Sequence, residues 1–285
     1  MKQNQIFQLV LTSTFVAIIL LMSLIPQLGF VTFLPGVAVT LVHIPTMIGI
    51  FILKPRYGFI LGVVFGIGSL MASYMYAATA FDLAFQNPLV SVLPRALFGL
   101  AAWTVYQGFL ALSKLSYGKY ILFGLVSLIT IFAVYFGSLE ITKNAIWNEY
   151  NTAVLDETVS EETLVELYEN ASTTENNVLK IVIPISLVII ALFITGYYYL
   201  VSNQNYKDLA VSSSFIVGTL IHTVLVLASV ILFADAFKMA FGDAVTLIYG
   251  IAASNGLIEA LTAVAIGTPI YITLNRLPMV QERLR

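Results

Sequence analysis

Residues 57–76 read Tyr57-Gly58-Phe59-Ile60-Leu61-Gly62-Val63-Val64-Phe65-Gly66-Ile67-Gly68-Ser69-Leu70-Met71-Ala72-Ser73-Tyr74-Met75-Tyr76. No Asp, Glu, Lys or Arg interrupts this stretch. About 20 apolar helical residues cover the roughly 30 Å of a bilayer's hydrocarbon core. Within it Gly58, Gly62 and Gly66 fall four apart, on one helical face. Lipid tails leave helix association to close packing, so a stripe of glycines predicts a neighbouring helix lying almost backbone to backbone. A spanning helix with a packing face sets the expected fold: an all-α bundle in a membrane.

The rest of the chain agrees. Of 285 residues, 59% are hydrophobic and 10% charged, with a mean hydropathy of +0.94, against about a quarter charged in soluble domains. A soluble globule is excluded. With 13 Lys and Arg against 15 Asp and Glu, the net charge of -2 leaves no basic surface for nucleic acid. The absence of cysteine removes disulfides, thiolate metal sites, iron–sulfur clusters and cysteine nucleophiles. Eight apolar blocks can be read as spans, at about 6–25, 40–53, 57–76, 89–112, 120–137, 179–201, 209–233 and 247–274. The first is read as a span rather than a cleaved leader, because only Lys2 precedes it and Leu24-Ile25-Pro26-Gln27 is no small-residue cleavage site.

Basic residues accumulate on the cytoplasmic side. With both termini inside, that side holds Lys2, Lys54, Arg56, Lys114, Lys119, Lys207, Arg276, Arg283 and Arg285, against Arg95, Lys143, Lys180 and Lys238 outside. The expected topology is therefore N-in and C-in. Residues 138–178, between spans five and six, carry nine acids with one internal Lys and form the expected outer segment. Leu155, Val159, Leu164, Leu167 and Tyr168 allow a short amphipathic helix there, within a solvated loop. Divalent cation binding is the alternative, but no EF-hand spacing with its central Gly is present.

Span two is short: about 14 residues reach roughly 21 Å. Pro45 interrupts it, and the apolar loop 26–39 precedes it. Irregular backbone at membrane depth is tolerated where protein or water satisfies it, so this region is expected to fold over the outer mouth of a cavity. Ionisable groups inside spans are costly and mark sites. At helical rise Arg95 lies about 10 Å down span four, Asn255 and Glu259 about 12 and 18 Å down span eight, and His222 about 16 Å down span seven. His43 sits near the outer end of span two. One Arg, Glu, Asn and His at a common level can host a small polar ligand from outside. Two other readings remain open: a buried Arg95–Glu259 pair with a neutral His222, or a proton relay through His222 and Glu259. The sequence carries no Walker A loop, no His-Glu-x-x-His and no Gly-x-Ser-x-Gly, so no catalytic group, metal or cofactor is implied and an enzyme is not expected.

Val42-His43-Ile44-Pro45 with Gly49, Lys54-Pro55-Arg56-Tyr57-Gly58, and Leu61-Gly62-Val63-Val64-Phe65-Gly66 resemble the substrate-binding S components of energy-coupling factor (ECF) vitamin transporters. So do Asn87-Pro88-Leu89-Val90-Ser91-Val92-Leu93-Pro94-Arg95 with Gly99, and Asn255-Gly256-Leu257-Ile258-Glu259-Ala260. The resemblance spans about 1–112 and 209–275, and its nearest likeness is the pantothenate-type branch. It implies a multi-pass protein of the bacterial plasma membrane that binds a vitamin near its outer face. Such a protein docks on a transmembrane coupling subunit bearing two cytosolic ATPases, which accounts for the missing ATP motif. It also implies a substrate site from Arg95, Asn255, Glu259, His222, Asn87, Ser91 and His43. Arg95 suits a carboxylate, and Asn255 and Glu259 suit hydroxyl or amide groups. The chain departs from the pattern at Ile221-His222-Thr223, where Thr-Asn-Thr is expected, so its specificity can differ.

The family's Ala-x-x-x-Ala docking patch on span one corresponds to Ser13 and Ala17, with ordinary bundle packing as the other reading of these small residues. Family members have six spans and this chain eight. The expected organisation is core spans one to four in 1–112, an inserted two-helix hairpin in 113–208 with outer acidic segment 138–178, and core spans seven and eight with a cytoplasmic tail in 209–285. The rival readings are a self-contained proton-coupled transporter, or a non-transporting membrane assembly or sensor protein whose acidic hairpin is the working part.

Overall fold

The computed structural model describes residues 3–34, 37–77, 80–154, 159–234 and 256–284. The described helices are α1 (Gln3–Leu24), α2 (Pro26–Gly29), α3 (His43–Ile52), α4 (Pro55–Tyr76), α5 (Ala80–Ala84), α6 (Pro88–Ser113), α7 (Gly118–Val154), α8 (Glu161–Asn203), α9 (Tyr206–Phe233), α10 (Leu257–Arg276) and α11 (Pro278–Leu284). Among them seven are long and apolar enough to cross a membrane. The helical reading gains one exception: β1 (Phe30–Leu34) and β2 (Val37–Thr40) form an antiparallel hairpin, with Phe30 opposite Thr40 and an irregularity between Thr32 and Leu34. Aromatic and β-branched residues favour the pleated conformation here.

Sequence signals set the helix boundaries. Prolines open α4 and α6, where a missing N–H costs nothing. Side chains of Asn87, Ser160 and Asn205 cap α6, α8 and α9 by accepting from first-turn amides. The expected second span proves to be only the 10-residue α3, about 15 Å long and too short to cross alone. It is the buried axis of the bundle. Met47 and Ile50 are fully enclosed, and α1, α4, α6, α9 and α10 all pack on it.

The glycine stripe of α4 faces α6. A Cβ at Gly66 would lie 2.6 Å from the Val92 Cα, and one at Gly62 would collide with the Arg95 carbonyl oxygen. From the other side, a Cβ at Gly99 would lie 2.6 Å from the Gly58 carbonyl. The two backbones touch, and this sets the height of Arg95 in the bundle. Gly62→Ala is expected to destabilise the fold by about 1–3 kcal/mol through overpacking. At Gly108 an added Cβ meets nothing within 4 Å, so Gly108→Ala is the neutral control. Equal thermal unfolding midpoints for the two variants in detergent would contradict this packing.

Helices α7 and α8 pair along their length and run far past a single span, the latter for 43 residues or about 65 Å. The acidic segment is mostly helix rather than the expected partly helical loop, with α7 reaching Val154 and α8 starting at Glu161. Beyond the apolar part, the pair is held by Trp147 stacked edge-on with Tyr150 and Tyr168, by the Trp147 Nε1–H donating to Glu175 Oε2 at 2.6 Å, and by a Lys143–Glu175 ion pair at 3.7 Å. Within the apolar part, Ser138 and Ser186 hydroxyls join α7 to α8 at 2.7 Å, and Tyr197 joins α8 to Ser213 of α9. At the opposite end α11 packs against α1, which puts both described ends of the chain together.

Candidate functional site

Four helices bring polar side chains to one buried level near the β-hairpin. From α6 comes Arg95, 6% exposed, whose Nη1 donates to the Ser91 carbonyl at 2.9 Å and more loosely to that of Val90 at 3.4 Å. Its guanidinium lies over the Phe65 and Phe85 rings, 5.0 and 5.3 Å from their centroids, and its Nε has no partner. Cation–π contact favours the charge electrostatically without using up its donors. From α3 and α9 come His43 and His222, whose rings stack at 5.9 Å with 12° between planes. His222 is further enclosed by Phe65 and Phe98 at 5.2 and 5.0 Å. Neither nitrogen of either imidazole makes a well-formed hydrogen bond, although His43 faces the Thr40 backbone. From α10 comes Glu259, 6% exposed, whose Oε1 accepts the Thr40 N–H at 2.7 Å and so ties the end of β2 to the bundle.

Arg95 and Glu259 are near enough to feel one another's charge but form no direct ion pair. No hydrogen bond joins His222 to Glu259 either. Buried polar groups ordinarily find partners. A guanidinium nitrogen and two imidazoles left without them, side by side, make a set of donors and acceptors suited to a small polar molecule.

Two expected site residues make hydrogen bonds to the protein itself, and a third lies outside the described residues. Asn87 caps α6, and its Nδ2 donates to the Phe233 carbonyl at 3.1 Å, tying α6 to the end of α9. The buried Ser91 hydroxyl donates to the Phe85 carbonyl, so Ser91 acts on the site through its own carbonyl, held by Arg95. Asn255 lies outside the described residues. The aromatic box of Phe65, Phe85 and Phe98 was not among the expected residues, nor was the backbone of Thr40. Aromatic residues are common throughout this chain, so their spacing alone did not distinguish the box. On α1, Ser13 and Ala17 point away from the bundle, whose contacts run through Gln8, Thr12, Phe15, Ile19 and Ser23. Packing within the chain therefore does not occupy them.

Seven helices long and apolar enough to cross a membrane, with an aromatic-walled polar cluster buried among them and a β-hairpin at its edge, define a multi-pass helical membrane protein. The chain belongs to the family of ECF transporter substrate-specific components, whose model matches residues 7–154. That match continues through α7, past residue 112. The chain is also similar to the pantothenate transporter PanT of Leuconostoc mesenteroides subsp. mesenteroides, 34% identical over 103 residues, which are 35% of this chain and 50% of that protein. It thus spans about half the length of the curated relative it matches.

Proposed function

We propose that the chain is the substrate-binding membrane subunit of an ECF-type transporter, capturing a water-soluble, carboxylate-bearing vitamin, pantothenate or a close relative, at the outer face of a bacterial plasma membrane. The observation that carries this reading is the convergence of Arg95, His43, His222 and Glu259 from four helices, with the Arg95 Nε and the ring nitrogens of the two stacked histidines buried without partners. Arg95 takes the carboxylate, the imidazoles take hydroxyl or amide groups, and the hairpin tethered through Thr40 and Glu259 excludes water. Pantothenate offers a carboxylate, an amide and hydroxyls, and the similarity to PanT supports that choice. The role is binding and hand-over rather than chemistry. A transmembrane coupling subunit docks on the exposed Ser13–Ala17 face of α1, and two cytosolic ATPases drive uptake. The distribution of basic residues supports an orientation with both termini in the cytoplasm.

The direct test is titration of pantothenate into the purified protein, together with mass spectrometry of what co-purifies. Saturable binding at a ratio of one supports the assignment, and absence of binding sinks it. A self-contained proton-coupled transporter needs His222 and Glu259 to exchange a proton, and their separate surroundings give no support to a direct relay. For the sensor reading, the discriminating variant replaces residues 143–175, the distal part of the α7–α8 pair, with a short linker. Pantothenate affinity is expected to stay within about twofold, because that part is held by contacts of its own. A large loss would move the working part of the protein into the hairpin.

A further inference from the structure

The chain has two histidines, His43 and His222, and the fold buries both in one cluster. They come from α3 and α9, with ring centroids 5.9 Å apart and 12° between their planes. The ring nitrogens of both are buried without a well-formed hydrogen bond. An imidazolium needs acceptors for two N–H groups, and a neutral ring needs only one. With no acceptor engaged, both rings are neutral in the empty site, because an unpartnered buried charge costs far more than an unpartnered buried dipole. Arg95 also opposes a charge on His222: its guanidinium and the His222 ring both lie against Phe65, 5.0 and 5.2 Å from that ring's centroid.

The charges that face the pair come from every side of the bundle. Helix α6 brings Arg95 and α10 brings Glu259, while α4 faces His222 with Phe65 and α1 carries no titratable side chain. Helix α5, the source of the Phe85 ring beside Arg95, carries Asp82, which is partly exposed. Among the described residues the buried set is therefore one cation, one carboxylate and two neutral imidazoles, in balance. A carboxylic acid is ionised near neutral pH, so it enters as an anion. Its arrival leaves one negative charge uncompensated between aromatic walls, the costly case for a buried ion. A proton on the imidazole pair removes that excess. The same carboxylate allows it, since it offsets the charge of Arg95 and supplies the acceptor that an imidazolium N–H lacks. Two rings this close titrate as a pair rather than as separate groups.

We propose that His43 and His222 form a proton-binding site coupled to the vitamin's carboxylate: capture of the anion draws one proton from solution onto a ring nitrogen of the pair. The inference rests on the reading of Arg95 as the carboxylate's partner and adds how the charge is balanced. No covalent bond changes, and no relay between His222 and Glu259 is required. Because the complex holds more protons than the free protein and ligand, affinity falls as pH rises, by about tenfold per pH unit where a whole proton is taken up.

The test uses the full chain in detergent, purified without a histidine tag, with pantothenate as the probe. Titration calorimetry at about pH 7 in buffers of different ionisation enthalpy counts the protons taken up, and about one is expected. Repeated between about pH 6 and 8, it should show binding weakening with rising pH, toward tenfold per unit. Pantothenol, in which a neutral hydroxymethyl group replaces the carboxylate, should bind without proton uptake. Isotopic labelling of the histidine nitrogens then locates the proton by NMR, since the chain has only these two rings. Each ring of the free protein should show one bare nitrogen, and saturation with pantothenate should remove about half of that signal. Pantothenate binding without proton uptake overturns the proposal and leaves the binding reading standing. So does uptake with both rings still neutral, which puts the proton on Glu259, and so does equal uptake with pantothenol. Absence of pantothenate binding overturns the reading beneath the proposal, and the proposal with it.

Discussion

Arg95→Ala is expected to weaken pantothenate binding by about 3–4 kcal/mol, roughly two to three orders of magnitude, while the protein still unfolds cooperatively. Among the described residues Arg95 is the one Lys or Arg buried beside this site, and its guanidinium lies over the Phe65 and Phe85 rings. Removing it leaves a carboxylate to enter an apolar, aromatic pocket with no counter-charge, which is the costly half of breaking a buried pair. The hydrogen bonds it makes to Ser91 and Val90 are to carbonyls on its own helix, so the fold does not depend on it for joining helices. Arg95→Lys sharpens the test. It keeps the charge but loses the planar fork, so an intermediate loss of about tenfold is expected. Binding by Arg95→Ala at wild-type affinity, measured by titration calorimetry, would remove Arg95 from the site. An equal loss in both variants would instead point to a structural role.

The bundle was legible because its governing constraint is one of length and charge. Wherever about 20 apolar residues run unbroken, a helix satisfies its own backbone, and the structure has one there. The α4–α6 contact was legible for a similar reason, since three glycines four apart have few uses other than close approach. The hairpin was not read as strands. Phe30–Leu34 and Val37–Thr40 flank Pro35-Gly36, a turn signal, but each run is too short to alternate clearly and its apolar character suited a membrane loop equally well. The length of α7 and α8 was missed because nine acids suggested solvent, and solvent was equated with loop. Long helices cross that boundary without interruption when their partner faces stay matched, as Trp147, Tyr168 and Glu175 do here.

At the site, ionisable residues announced themselves by rarity, so Arg95, Glu259, His43 and His222 could be picked from the sequence. Polar residues with ordinary structural uses could not be separated from ligands in the same way. Asn87 at a helix start and Ser91 one turn before Arg95 fit a binding motif and a capping motif equally, and only coordinates distinguish a cap from a contact.

Ala17→Trp is expected to abolish vitamin uptake in cells that contain the coupling subunit and its ATPases, while leaving pantothenate affinity of the purified protein within about twofold. Ala17 and Ser13 are exposed on α1, opposite the face built from Thr12, Phe15 and Ile19, so a large ring at position 17 meets lipid rather than the protein's own core. Nothing in the isolated subunit resists the substitution. A partner helix would resist it strongly, because small residues four apart are what lets two backbones approach inside a membrane, and an indole between them forces the helices apart along their whole contact. Ala17→Ser restores small size without restoring an alanine and should transport like wild type, which separates a steric requirement from a need for that particular residue. Binding lost together with uptake would mean that α1 supports the site, and uptake left intact would move the docking surface to another face of the bundle.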